Sequence, residues 1–487
     1  DRFIEEALWG LDWFLKSRFG DGYRIAFQVA RIYTDNEIGT LDDIVHPAEN
    51  IPWLNLLGSA VEAYAYETLK SHAPETAERC LEAAVEDWQA GRAGVEAASF
   101  DQDYLTASWS VLASLHLYRI LGEQRYLERA TEDGRFLLAC QQRAFPDDIP
   151  LTGFYYSDAT HNTIVQHNHL GFEESPLLAL QALCTALPDH KDWIAWYGAI
   201  VLHSTYYQER GAAYTSPYRM LINALYRKRD ADKISDPNQK RYWLRQVQDG
   251  TRLTEDLYLK RFPVWRNHLF HGATGVQLSQ TMALTAAAQV RHSRAIEELA
   301  AQQMQWVFGG NPFCQSLMYG EGYDYVPLHA HRQADFVGAL PVGMDSMAND
   351  EPYWPPSNYA THKEIWVVPV SRFLMNVAHL GLPARVKGQL SGAKTPIEFC
   401  HRQRDLVRTV EPAADGSFAV TLPSGDYDVN YSSRHRRLTV VAGANIALAL
   451  DAASTIDITA GISSEEREPN SLRVEVSADG IGAHSVA

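Results

Sequence analysis

The chain has 487 residues, with 43 Lys plus Arg against 60 Asp plus Glu and a formal net charge of −17. That balance excludes the basic face a nucleic-acid binder carries and argues against docking on anionic lipid. Hydrophobic residues make up 46% and charged ones 21%, a globular mixture long enough for a large core and more than one domain.

No apolar run approaches the ~18 residues a membrane-spanning helix needs. The start, Asp1-Arg2-Phe3-Ile4-Glu5-Glu6, does not read as a signal peptide. Either the protein is cytosolic or a leader has been removed, with a secreted or periplasmic placement favoured. The five cysteines, Cys80, Cys140, Cys184, Cys314 and Cys400, are scattered with no CxxC pair, so they read as small core residues rather than a disulfide frame or zinc site.

In chain order, helix-period apolar patterns run over about 2–18, 52–71, 76–92, 102–121, 124–142, 174–187, 190–208, 237–250, 273–290, 293–308 and 365–381. In the second of these, Leu54, Leu57, Val61, Ala65 and Leu69 share one face. Strand-like alternation is scarce before residue 385. The stretches 20–50, 145–173 and 309–364 are long loops rich in His, Tyr, Trp, Asp and Gly, and long loops within a compact domain are functional or disordered. Their aromatic content favours function. Past Leu382-Pro383 the pattern alternates, as in Ser417–Leu422 and Tyr427–Tyr431, with turns at Asp415-Gly416 and Ser424-Gly425-Asp426. The expectation is a mainly α chain: an (α/α)6 barrel over 1–385, then a small antiparallel β-sandwich over 386–487.

Five segments, in order, resemble family 9 of the glycoside hydrolases, the inverting endoglucanase family. They are Ala7-Leu8-Trp9-Gly10-Leu11-Asp12-Trp13, Phe100-Asp101-Gln102-Asp103-Tyr104 with Gly122-Glu123-Gln124, and Gly309-Gly310-Asn311-Pro312 with Ser316 and Gly320-Glu321-Gly322. The last two are Pro327-Leu328-His329-Ala330-His331-Arg332 and Asn358…Lys363-Glu364. The resemblance covers roughly 3–381. It implies a glycosidase barrel, Glu364 as general acid, a substrate loop at 327–332, and a bound Ca²⁺. The chain departs from the family at three points. The Asp-Ala-Gly-Asp segment that supplies the family's base is not in the sequence, Ala330 splits the His pair, and Pro352-Tyr353-Trp354-Pro355-Pro356 replaces a shorter spacing. An upstream part of a natural precursor is one explanation of the first.

Glycoside hydrolysis by inversion needs an acid and a base carboxyl roughly 6.5–9.5 Å apart. Glu364, between a Pro/aromatic loop and Ile365-Trp366, fits the acid; the alternative is a first-turn glutamate held by the helix dipole. For the base, Glu173 or Glu174 stands in the dense cluster His167–Pro176, with His169 to orient it; the alternative is ordinary N-terminal helix acids. Asp101 and Asp103 read as caps or a structural cation site, and His46…Glu49-Asn50 as a further acidic candidate or a cap. His329, His331 and Arg332 suit sugar hydroxyls or a uronate, and Tyr323, Tyr325, Tyr353, Trp354 and Tyr359 suit stacking on pyranose rings; packing is the competing role. His268 and His271 read as cap or core groups.

The leading expectation is an inverting hydrolase of a glucan-like poly- or oligosaccharide that requires no cofactor. A polysaccharide lyase using Tyr359, His362, His331 and Arg332, and a non-catalytic glycan-binding protein, are the alternatives. Nucleotide, serine-hydrolase and zinc-helix motifs do not occur.

Overall fold

The computed structural model describes residues 2–25, 37, 39–40, 47–97, 102–145, 149–166, 171–262, 273–327, 336–354, 363–392, 395–452, 457–458, 474–478 and 481–486. The chain divides into two units, Asp1–Ala378 and His379–Ala487. The division falls a few residues before the expected 385, inside the last helix of the first unit.

In the first unit the described helices lie where the periodicity places them. They are α1 (Arg2–Lys16), α2 (Pro52–Leu69), α3 (Pro74–Glu96), α4 (Tyr104–Leu121), α5 (Gln124–Cys140), α6 (Glu174–Ala186) and α7 (Trp193–Val201). Then come α8 (Pro237–Asp249), α9 (Ala273–Arg291), α10 (Arg294–Val307) and α11 (Val367–Gly381). Local chemistry sets their ends. Pro52 and Pro74 open α2 and α3, where a missing N–H costs nothing. Asp103 caps α4 by accepting from the Thr106 amide at 2.7 Å, and Gly122 ends it in the left-handed region.

These helices pack as hairpins, α2 on α3, α4 on α5, α6 on α7 and α9 on α10. The first member of each pair also packs on its counterparts, α2 on α4, α4 on α6 and α6 on α9, which is the inner ring of an (α/α)6 barrel. Composition explains which helices go inside. Every residue of α9 from Ala273 to Ala288 is buried, and that stretch is built from Ala, Gly, Thr, Ser, Gln, Val, Leu and Met with no charge. A helix without a charged face has no side to give to water. By contrast α5 and α10 bury one stripe and expose the other.

Short strands, unexpected from the sequence, decorate this unit. Strands β1 (Arg18–Gly20), β2 (Tyr23–Ile25) and β3 (Ala48–Glu49) form one sheet; β4 (Ala224–Arg227), β5 (Thr251–Arg252) and β6 (Leu257–Lys260) form another in the order β4-β6-β5. Two- to four-residue strands are too short to show alternation. β7 (Asp345–Ser346) and β8 (Pro352–Tyr353) make a hairpin.

The second unit holds two face-packed sheets. One is antiparallel, in the order β11 (Val407–Val410), β10 (Ile397–His401), β13 (Gly425–Tyr431), β14 (Arg434–Val440). The other runs β12 (Ser417–Leu422), β9 (Ala384–Ser391), β15 (Asn445–Asp451), and here β15 pairs with β9 in parallel, so the sandwich is mixed and not purely antiparallel. The short link from β14 to β15 carries the chain from one sheet to the other. Phe399 and Phe418 meet across the two sheets at 6.3 Å, inside a core of Ile397, Val429, Tyr427, Val386 and Leu450. A further antiparallel sheet comprises β16 (Asp457–Ile458), β17 (Val474–Ala478) and β18 (Ile481–Val486). Of the cysteines, Cys80, Cys140 and Cys184 are buried as expected, whereas Cys314 is exposed.

Candidate active site

The starts of the inner helices meet at one end of the barrel. Phe172, just before α6, packs edge-on against Trp53 in the first turn of α2, with ring centroids 6.1 Å apart. Tyr104, the first residue of α4, is buried; burial pushes its phenol pKa up, and the neighbouring Asp103, Glu174 and Glu173 push the same way. Gly171 sits at φ 65° with its Cα hydrogens against α9, and a Cβ there would stand 3.0 Å from the Val276 Cα. Only glycine combines that dihedral with that approach.

Glu364 comes to the same end on a separate segment. Val342 donates its amide to the Glu364 carbonyl at 2.8 Å, and Thr274, in the first turn of α9, donates to the Val342 carbonyl at 3.1 Å. Pro341 and Ile365 form an antiparallel bridge alongside. The Glu364 side chain is part-exposed, and its Oε2 accepts from Trp366 Nε1 at 2.9 Å. Lys363 beside it is buried, which pulls its ammonium pKa down.

Tyr353 and Trp354 leave the β7–β8 hairpin, and Trp354 tilts against Phe313 at 6.0 Å. Its indole Nε1 is buried without a hydrogen-bond partner. The Gly309-Gly310-Asn311-Pro312 stretch proves architectural: Asn311 is buried and donates to the Trp306 and Gln315 carbonyls at 2.8 and 2.7 Å, folding the loop on itself. Tyr323 is fully exposed, and Tyr325 stands edge-on to Tyr319. His169, His329, His331, Arg332 and Tyr359, all expected at the site, lie outside the described residues, as do His46, Asp101, His268, His271 and His362.

Glu173 and Glu174 lie deeper, each only 4% exposed. Glu173 Oε1 receives Gln208 Nε2 at 3.0 Å and faces His203 Nε2 at 3.1 Å; its Oε2 receives Gln280 Nε2 at 2.9 Å. His203 Nδ1 in turn faces the Gly153 carbonyl at 2.9 Å, so both ring nitrogens look at oxygens. Ser279 links the two glutamates: its hydroxyl accepts from the Glu173 amide at 2.8 Å and donates to Glu174 Oε2. Glu174 Oε1 is 3.1 Å from Arg372 on α11. Instead of flanking an open cleft, the two carboxyls expected to supply a base sit inside a closed polar core that joins α6, α9, α11 and the segment after α7. The residues that complete this core, His203, Gln208, Ser279, Gln280 and Arg372, were not anticipated. Their signal in the sequence is the presence of Gln, Ser and His on otherwise apolar helices. Asp103 is a cap, as one of its two readings held. Among the described residues no group of three or more His, Cys, Asp or Glu gathers to hold a metal ion.

The model of the family described as "Glycosyl hydrolase family 9" matches residues 1–354. The chain belongs to glycosyl hydrolase family 9. No curated protein matches it. Among solved structures, family 9 proteins resemble it. The cellulase Cel9M of C. cellulolyticum is 16% identical, with a TM-score of 0.44, over 75% of this chain and 74% of that one. A metagenome-derived family 9 endoglucanase is 14% identical, TM-score 0.49, over 77% and 60%. A family 9 protein of Bacteroides ovatus is 13% identical, TM-score 0.45, over 76% and 60%. This chain therefore spans three fifths of the length of two of these family 9 structures. The matched region stops short of Glu364 and α11.

Proposed function

We propose that the protein hydrolyses a glucan-like poly- or oligosaccharide with inversion, Glu364 acting as the general acid. Family membership supports the reaction class. The observation that carries the assignment is the setting of Glu364: a part-exposed carboxyl at the barrel end where the inner helices begin, held on one oxygen by the Trp366 indole. In the reaction the Glu364 proton passes to the glycosidic oxygen as the bond from that oxygen to the anomeric carbon breaks. A water on the opposite face adds to that carbon and gives its proton to a second carboxylate. We read Glu173 and Glu174 as architecture and not as that base, because a base must reach a water and both are enclosed by protein donors. The half-buried Trp354 ring is suited to serve as a stacking face for a pyranose.

The test is turnover of wild type and E364Q on a panel of soluble glucans and uronate polymers, with products identified by NMR. Hydrolysis by wild type with an inverted anomer, and a loss on the order of 10²–10⁴-fold in E364Q, is the expected result. Full turnover by E364Q removes Glu364 from the acid role. An unsaturated uronyl product makes the protein a lyase instead, and binding without product makes it a glycan-binding protein.

A further inference from the structure

Arg372 is a nearly enclosed cation close to Glu364, and nothing in the hydrolysis scheme uses it. It lies in the second turn of α11, eight residues after Glu364, and is nearly enclosed. Its NH1 donates to the Gly275 carbonyl at 3.0 Å; its NH2 donates to the Gly171 carbonyl at 2.7 Å and to Glu174 Oε1 at 3.1 Å. The guanidinium also lies over the Phe172 ring, 5.5 Å from its centroid. One side chain thus grips the loop before α6, the first turn of α6 and the first turn of α9.

That last contact closes a loop through Glu364. The Glu364 carbonyl is tied through Val342 to Thr274, and Arg372 is tied to Gly275, the next residue along α9. The segment from 364 to 372 is therefore fastened to the same turn of α9 at both ends. A planar guanidinium can serve three acceptors in fixed directions, whereas an ammonium of similar charge cannot span them.

Resting on the assignment of Glu364 above, we propose that Arg372 is a positioning residue for the general acid: its grip on Gly171, Glu174 and Gly275 sets where the Glu364 carboxyl stands at the mouth of the barrel. A carboxyl displaced by about 1 Å loses on the order of 10²-fold in rate while substrate binding elsewhere is kept.

The experiment compares R372K, R372M and N376A with wild type and E364Q. Asn376, one turn further along α11, donates to the Leu278 carbonyl at 2.9 Å and so also ties α11 to α9, but away from Glu364. Each variant is followed by kcat and KM on a soluble glucan and by amide hydrogen exchange over 363–371. The expected result is a kcat at least tenfold lower in R372K, with KM within about threefold, faster exchange over 363–371, and a larger loss in R372M. N376A loses thermal stability without that kcat-selective effect. An R372K protein with wild-type kcat and exchange overturns the proposal while leaving the Glu364 assignment standing. Turnover that survives in E364Q overturns both, because no acid then remains to be positioned. Should R372M fail to fold, R372K and the exchange measurement still decide.

Discussion

His203 and Gln208 reach the same Glu173 oxygen, at 3.1 and 3.0 Å, although five residues separate them along one helix. In an α-helix such residues point about 140° apart. Here the chain from Leu202 to Glu209 is π-helical, with hydrogen bonds closing to the fifth residue, and that winding brings both side chains to one face. The wide turn is thus spent on assembling the polar core beneath the site.

Glu173 is expected to behave as a structural acid. In E173Q an amide NH2 replaces one oxygen and confronts the donors from Gln208, His203 or Gln280. Leaving such buried groups unpaired costs about 1–3 kcal/mol each. Chemical denaturation should show that loss, while kcat on a soluble glucan falls less than tenfold. A drop of 10³-fold or more with stability intact would restore Glu173 as a base.

Glu62 should contribute a loss of stability as pH rises toward neutrality. Arg24 spends its short contact on Asp87 and Arg18 on Asp87 and Glu86; Glu62 Oε1 is 3.5 and 3.6 Å from them, and its Oε2 is unpartnered. Burial raises the Glu62 pKa from 4.5 to about 7, the two arginines offsetting only part of this. An acid whose pKa is higher folded than unfolded binds its proton more tightly when folded, so its contribution is present at low pH and lost between about 4.5 and 7. Over that window the change of melting temperature with rising pH should be more positive in E62Q than in wild type.

Lys260 and Asp350 form a buried ion pair at 2.5 Å, and Asp350 also accepts the Arg261 amide at 2.6 Å. Asp350 stands at φ 62° in the turn of the β7–β8 hairpin, so the pair pins the hairpin that leads to Tyr353 and Trp354. Replacing Lys260 leaves Asp350 with only the more distant Arg261 guanidinium, at 3.6 Å, a cost of about 3–5 kcal/mol for a largely broken buried pair. K260M should lose that much in urea unfolding; a change under 1 kcal/mol would show the pair to be dispensable.

Gly153 adopts φ 93°, and a Cβ built there would lie 2.3 Å from the Leu202 carbonyl oxygen. Its own carbonyl is shared by Gln141 and His203. G153A should therefore combine strain of about 1–3 kcal/mol with displacement of the π-helical segment. Calorimetry should show a fall of several degrees; an unchanged melting temperature would mean the loop shifts freely.

The helices were legible because their apolar residues repeat at the helical period, and the ends of α4 because Asp103 and Gly122 carry their own capping chemistry. The change of character after Pro383 likewise follows from period-two alternation. Ordered motifs were enough to suggest the family and to single out Glu364. What the sequence could not decide was which acids face water. Glu173 and Glu174 look alike in a row of letters with Ser175 and Pro176. Their burial depends on Gln208, Ser279, Gln280 and Arg372, which lie 35 to 198 residues away along the chain from the glutamate each one meets, and meet them only because the barrel closes. The short strands escaped because two to four residues are too few to show alternation. The π-helical turn and the parallel β9–β15 pairing escaped for the same reason as the buried acids. Each is settled by contacts between distant segments, whereas periodicity and capping report only what neighbours along the chain dictate.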